Sequence, residues 1–220
     1  MNQEWLFRLV AGIFLLSALG ISVTYRRRAN KSGDEISPKG EGRLILALRS
    51  IFGLAGWLSA LVYLINPAWM AWAQLDLPAW ARWAGAAIMA VCLPLIYWVF
   101  SSLGNNVTPT VATRRAHSLV VHGPYRWVRH PLYTVGFSAF IGFSLLSAMW
   151  FTALVLVLGF GVLALRTPLE ERRLLDRFGD EYRDYMGRTG RYLPRLVKAR
   201  PQPSSRAAGD LQTRSLKNER

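Results

Sequence analysis

The sequence predicts an all-α integral membrane protein with about five transmembrane helices and a C-terminal cytoplasmic amphipathic helix. Apolar runs near the roughly 20 residues needed to cross a bilayer recur along the chain. Lys and Arg gather in alternate connections between them. The 220 residues are 52% hydrophobic and include nine tryptophans, too apolar a mixture for an ordinary soluble domain of that length.

The first run, Trp5 to Thr24, ends in Arg26-Arg27-Arg28. A cleaved signal peptide carries its basic residues before the apolar stretch and a small-residue cleavage site after it, so this segment reads as a retained anchor. Residues 29–42 lack an apolar period and contain Gly33, Pro38 and Gly40, which predicts a loop. The second span runs from Leu44 to Ile65. Arg49, one turn in, either snorkels to the interface or faces a polar pocket, and Gly53 and Gly56 offer a flat surface for close packing. Trp69, Trp72, Trp80 and Trp83 around two prolines form an interfacial belt. The third span, Trp83 to Leu103, contains Pro94, which predicts a kink.

After a polar loop over 104–129, Pro131 suits the first turn of a fourth span ending near Ser147. Ser138 and Gly142 allow a close backbone approach there. A short turn leads to a fifth span, Trp150 to Leu165. Beyond Pro168, the residues Leu174, Leu175, Phe178, Tyr182, Tyr185 and Met186 fall on one side of a predicted amphipathic helix, which lies in the interface or packs as a lid. The chain divides accordingly into three N-terminal spans (1–103), a core (104–195) and a disordered basic tail (196–220).

Charge orients this arrangement. The segments 24–43, 104–131 and 166–220 hold six, four and fourteen Lys and Arg, against one in 66–82 and none in 147–150. The positive-inside rule then places the N-terminus outside and the C-terminus in the cytoplasm. The formal charge of +14 flanks spanning runs, which favours anionic lipid headgroups over nucleic acid as the partner of the basic loops. One cysteine, Cys92, can build neither a disulfide framework nor a thiolate metal site. The three histidines fit no helical i, i+4 pair, so no metal site is assigned, and His122 reads as a solvated loop residue.

All three histidines fall in one stretch, His117-Ser118-Leu119-Val120 … Gly123-Pro124-Tyr125 … Arg129-His130-Pro131-Leu132-Tyr133. One apolar hairpin later come Arg166-x-x-x-Glu170-Glu171 and Phe178-Gly179-x-Glu181-Tyr182-x-x-Tyr185. This two-part pattern resembles the isoprenylcysteine carboxyl methyltransferases and their phospholipid-methylating relatives, over about residues 104–195. The resemblance implies an integral-membrane methyltransferase using S-adenosyl-L-methionine (S-adenosylmethionine) in a cytoplasm-facing cavity, with a lipophilic methyl acceptor drawn from the bilayer. The absence of a glycine-rich dinucleotide loop after a strand agrees. By position, the cofactor contacts implied are His117, Ser118, Leu119, Val120, Tyr125, His130, Pro131, Leu132, Tyr133 and Glu170, and Arg166 matches the residue that contacts the acceptor.

These residue types suit the chemistry. Tyr125 and Tyr133 offer aromatic faces and hydroxyls to a cationic or planar ligand. Glu170 can accept from ribose hydroxyls or an ammonium group, and His130 can donate to a carboxylate or a base. Methyl transfer is an in-line displacement that chiefly needs alignment in a dry pocket. A carboxylate acceptor is already a nucleophile at neutral pH and would be held by Arg166, with Arg129 a second candidate. An amine acceptor would have to lose a proton, with Glu171 or His130 assisting.

Plainer roles compete. Arg126 and Arg172 read as lipid-headgroup anchors, Tyr182 and Tyr185 as packing residues of the lid, and Glu170 or Glu171 as a favourable charge at a helix N-terminus. A sterol-type reductase would carry an asparagine after Pro131 and an acid soon after Tyr133. Leu132 and Thr134-Val135-Gly136-Phe137 stand there instead. A non-catalytic lipid-binding scaffold would explain the charge but not two separated motifs.

Overall fold

The computed structural model describes residues 3–31, 42–104 and 119–195. The predicted loop residues 32–41, the cofactor candidates His117 and Ser118, and the basic tail from 196 lie outside the described residues. Six α-helices follow in order: α1 (Glu4–Lys31), α2 (Arg43–Ile65), α3 (Ala79–Leu103), α4 (Pro131–Ser147), α5 (Trp150–Phe178) and α6 (Asp180–Arg188). The protein is an all-α integral membrane protein. Four helices, α1, α2, α3 and α5, are long and apolar enough to span a bilayer, and α4 is a shorter apolar helix. Its 17 residues reach about 25 Å, slightly less than a hydrocarbon core.

Helix boundaries depart from the apolar runs in three places. Helix α1 continues past Thr24 through its arginines to Lys31, because basic side chains suit a helix C-terminus and need no burial. Helix α3 starts at Ala79 and so includes Arg82. It runs through Pro94 as one helix. The third departure matters most for function. The chain does not begin a new helix after Pro168. Helix α5 continues from Trp150 to Phe178, and the predicted lid helix is instead broken at Gly179, whose φ of 53° terminates α5. Only glycine enters that backbone region cheaply. Beside Pro168, the buried Thr167 hydroxyl donates to Leu163 O at 2.9 Å, adding a bond to the turn that the proline weakens.

Helix α3 packs against both α1 and α4, while α5 packs against both α2 and α4. The α3–α4 crossing is closest at Gly85 and Gly142, each of which faces the other's backbone. Gly56 lies against Val155 and Leu156 of α5, whereas Gly53 faces open space. Among the two glycines of α2, only Gly56 therefore makes the expected close approach.

At the end opposite the polar motifs, Arg82 ties four elements together. Its guanidinium donates to Glu4 (2.7 and 3.1 Å), to Leu146 O (2.8 Å) and to the Tyr63 hydroxyl (3.1 Å). Arg8 likewise closes the end of α2 by donating to Leu64 O and Ile65 O. Glu4→Gln keeps a hydrogen-bond acceptor but removes the charge, and is expected to lower stability by about 1 kcal/mol. A thermal unfolding midpoint in detergent, indistinguishable from wild type, would show that this clasp contributes nothing.

Candidate functional site

The continuation of α5 past Pro168 decides the site's geometry. Arg166 and Glu170 are one turn apart on the same helix and therefore share a face. Tyr133, in the first turn of α4, comes between them. Its hydroxyl donates to Glu170 Oε2 at 2.9 Å and accepts from Arg166 Nη1 at 3.3 Å. Arg166 is buried, 5% exposed. Because Glu170 and Glu171 sit within α5, neither is at a helix N-terminus, and the dipole role considered for them does not apply.

Glu171, one residue on and so about 100° further round the helix, is itself buried. It receives Arg129 Nε at 2.9 Å and Arg191 Nη2 at 2.5 Å. Arg129 also donates to the carbonyls of Met186 and Thr189. The strand-like segment leading into α4 then pairs with the chain beyond α6. Arg129 N donates to Gly190 O (2.8 Å), His130 N to Arg191 O (3.1 Å), and Gly190 N to Trp127 O (3.1 Å). The Arg129–Glu171 pair therefore clamps two separated segments against α5.

His130 stacks on Tyr133 with ring centroids 5.4 Å apart and planes 8° from parallel. Its buried Nε2 lies 3.4 Å from Glu171 Oε1 without making a hydrogen bond. Tyr192 packs against His130 and Phe160, and its hydroxyl donates to Thr167 Oγ1 at 2.7 Å. Phe160 stacks in turn on Phe137 of α4 at 4.2 Å. Tyr185 donates to Tyr125 O at 2.7 Å. Burial pushes the Tyr185 hydroxyl up to about 12 and Tyr125 well above the ordinary tyrosine range, so both remain protonated donors at neutral pH.

Of the residues singled out from sequence, Tyr133, His130, Arg166 and Glu170 converge, with Pro131 and Leu132 in the same turn of α4. Tyr125 is held beside them through α6. Leu119 and Val120 are half-buried ahead of the Gly123–Arg126 turn. Arg126 instead stacks on Trp127 at 3.8 Å. Sequence reading missed Arg191, Tyr192 and Thr167. Their only signal was an aromatic residue between basic ones after Gly187, and a threonine before a proline. Among the described residues, no group of three or more His, Cys, Asp and Glu side chains is arranged to hold a metal ion.

Tyr133, His130, Arg166 and Glu170 lie within residues 84–176, which match the isoprenylcysteine carboxyl methyltransferase family. The matched segment runs from Ala84 within α3, through α4, to Asp176 near the end of α5, and stops short of α6. The chain is similar to protein-S-isoprenylcysteine O-methyltransferase of Rattus norvegicus, 31% identical over 56% of this chain and 44% of that protein. It is also similar to nickel-cobalt-cadmium resistance protein NccN of Alcaligenes xylosoxydans xylosoxydans, 34% identical over 39% of this chain and 40% of that protein. The chain thus spans about two-fifths of the length of these two relatives. A solved structure of the eukaryotic intramembrane Ras methyltransferase, an isoprenylcysteine carboxyl methyltransferase, overlaps 69% of this chain and 53% of its own, with 23% identity and a TM-score of 0.47.

Proposed function

We propose that the chain is a membrane-embedded, S-adenosylmethionine-dependent methyltransferase that O-methylates the carboxylate of an isoprenylated cysteine or a similar lipophilic acceptor. The observation that carries this reading is the Arg166–Tyr133–Glu170 relay on the matched segment, beside the buried His130. With the basic segments in the cytoplasm, the site opens on that side and the N-terminus lies outside.

The residues present suit the cofactor's chemistry. His130 Nε2 is buried without a hydrogen bond and can donate to, or accept from, a bound polar group. Tyr133 and Tyr125 supply aromatic surface, and Glu170 supplies negative charge toward an ammonium or ribose. Leu119 and Val120, half-buried ahead of the Gly123–Arg126 turn, and Pro131 and Leu132, in the first turn of α4, supply the proposed apolar contacts. His117 and Ser118 complete the proposed set by position in the sequence. S-adenosylmethionine, when bound, supplies an electrophilic methyl group on a cationic sulfur.

The protein's task is then positioning. Arg166, removed from water, holds an acceptor carboxylate by charge-assisted hydrogen bonds and keeps its oxygen aimed. Tyr133 orients both Arg166 and Glu170, since its hydroxyl bonds to each. A carboxylate is already ionised at neutral pH, so no side chain has to remove a proton. Arg129 is engaged with Glu171 and two carbonyls, which supports a positioning role for it and leaves the acceptor to Arg166.

Equilibrium titration of the detergent-purified protein with S-adenosylmethionine and, separately, NADPH tests this reading. Saturable binding of the methyl donor is expected, weakened about tenfold or more in Tyr133→Phe and Glu170→Ala. Binding of NADPH alone would favour a reductase. No binding of either to folded protein would overturn the assignment.

A further inference from the structure

We infer that Arg49 is a second cationic contact for the anionic end of the acceptor, on the wall of the site formed by α2. This deepens the methyltransferase reading and rests on it. The register of two facing helices carries the inference. Helices α2 and α5 run antiparallel, and three contacts set their alignment. Ser59 hydrogen-bonds to Thr152, Gly56 meets Val155 and Leu156, and Phe52 lies against Gly159. Each step of three or four residues back along α2 matches an equal step forward along α5, as expected for one continuous seam. The next step back reaches Arg49 and the next forward reaches Val162 and Leu163. Arg166 follows one turn later, about 5 Å further along the axis.

Arg49 therefore stands on the seam within a turn of Arg166. Its Nε is removed from solvent, in a mostly apolar helix whose other charged residue is Arg43 at its start. Of the two roles open to Arg49, snorkelling to the interface or facing a polar pocket, the withdrawal of Nε from water favours the second. The seam is cationic by composition, because α2 carries no Asp or Glu and α5 none before Glu170. Gly53, one turn deeper on α2, faces open space, which leaves room beside Arg49 for an apolar chain. Two arginines at the mouth of an open apolar flank suit a ligand with an anionic head and a hydrocarbon tail. A carboxylate on a prenylated thiol has that form, whereas a lipid amine would be repelled.

The test uses the full chain in detergent and two probes, N-acetyl-S-farnesylcysteine and its primary amide, with S-adenosylmethionine binding measured alongside. Arg49→Gln is expected to weaken binding of the carboxylate probe about tenfold. Affinity for the amide and for S-adenosylmethionine should be unchanged, and Arg49→Lys should recover much of the loss. Equal weakening of both probes in Arg49→Gln would reveal a purely structural role and overturn the inference, as would an unchanged carboxylate affinity. If wild type binds S-adenosylmethionine but not the carboxylate probe, the inference falls and the cofactor assignment stands. If it binds the carboxylate in an Arg49-dependent way but no S-adenosylmethionine, the cofactor assignment falls instead. Failure to bind either ligand would overturn both.

Discussion

Glu171→Ala is expected to destabilise the protein by about 3–5 kcal/mol and, on the methyltransferase reading proposed above, to abolish S-adenosylmethionine binding. The carboxylate is buried against an Arg129 side chain that is itself only 8% exposed, and removing it leaves that guanidinium uncompensated. Arg191, at 45% exposure, adds little to the energy because water screens it. The consequence reaches the site through the backbone. Without Glu171, nothing comparable clamps Arg129 between α5 and the carbonyls of Met186 and Thr189. The pairing of 127–130 with 190–191 should loosen, and with it the placement of His130 at the start of α4. Thermal unfolding followed by tryptophan emission, together with donor titration, checks both effects. Replacing Arg129 and Glu171 together by leucines should cost less than the sum of the two single changes. A Glu171→Ala protein that melts and binds as wild type would show that the ion pair is not what holds these segments.

Gly85→Val should prevent assembly of a native helix bundle. A Cβ at Gly85 would stand 2.7 Å from Leu146 N and would also collide with the Gly142 carbonyl, both backbone groups that cannot swing aside. The helices must separate to admit it, at a cost of about 3 kcal/mol or more. The mirror position behaves alike, since a Cβ at Gly142 would come 2.8 Å from Gly85 O. Helix α4 carries Tyr133 in its first turn, so separating α3 from α4 moves the centre of the relay. The expected result is aggregation or loss of a cooperative melt after extraction, with Gly85→Ala retaining partial folding. As a control, Gly53→Ala should be tolerated, because its Cβ would enter open space. Equal tolerance at Gly85 would mean that the crossing is looser than described.

Several features were legible because they depend on local properties of the chain. Apolar runs of spanning length mark spans wherever they fall, since the bilayer requires both hydrophobicity and satisfied backbone groups. Pro131 and Gly179 act through their own backbone geometry, yet only Pro131 was read correctly. Gly179 sits in a run whose apolar spacing continues across it, and periodicity cannot register one residue of positive φ. Pro168 misled in the opposite sense. A proline in an apolar-to-polar transition suggests a helix start, but the packing of α5 against α2 and α4 carries the helix through it.

By itself, then, the sequence determined that this is an all-α membrane protein and singled out the residues of two polar motifs. Composition, span length and residue chemistry are properties of segments and need no partner. Only the tertiary structure decided which of those residues meet. Tyr133 between Arg166 and Glu170, Arg129 and Arg191 on Glu171, and Glu4 on Arg82 are contacts across 20 to 78 positions of chain. Such contacts arise from the angle at which packed helices cross and from the continuation of α5 past Pro168. Both follow from side-chain interlock between separate segments, which no single segment encodes.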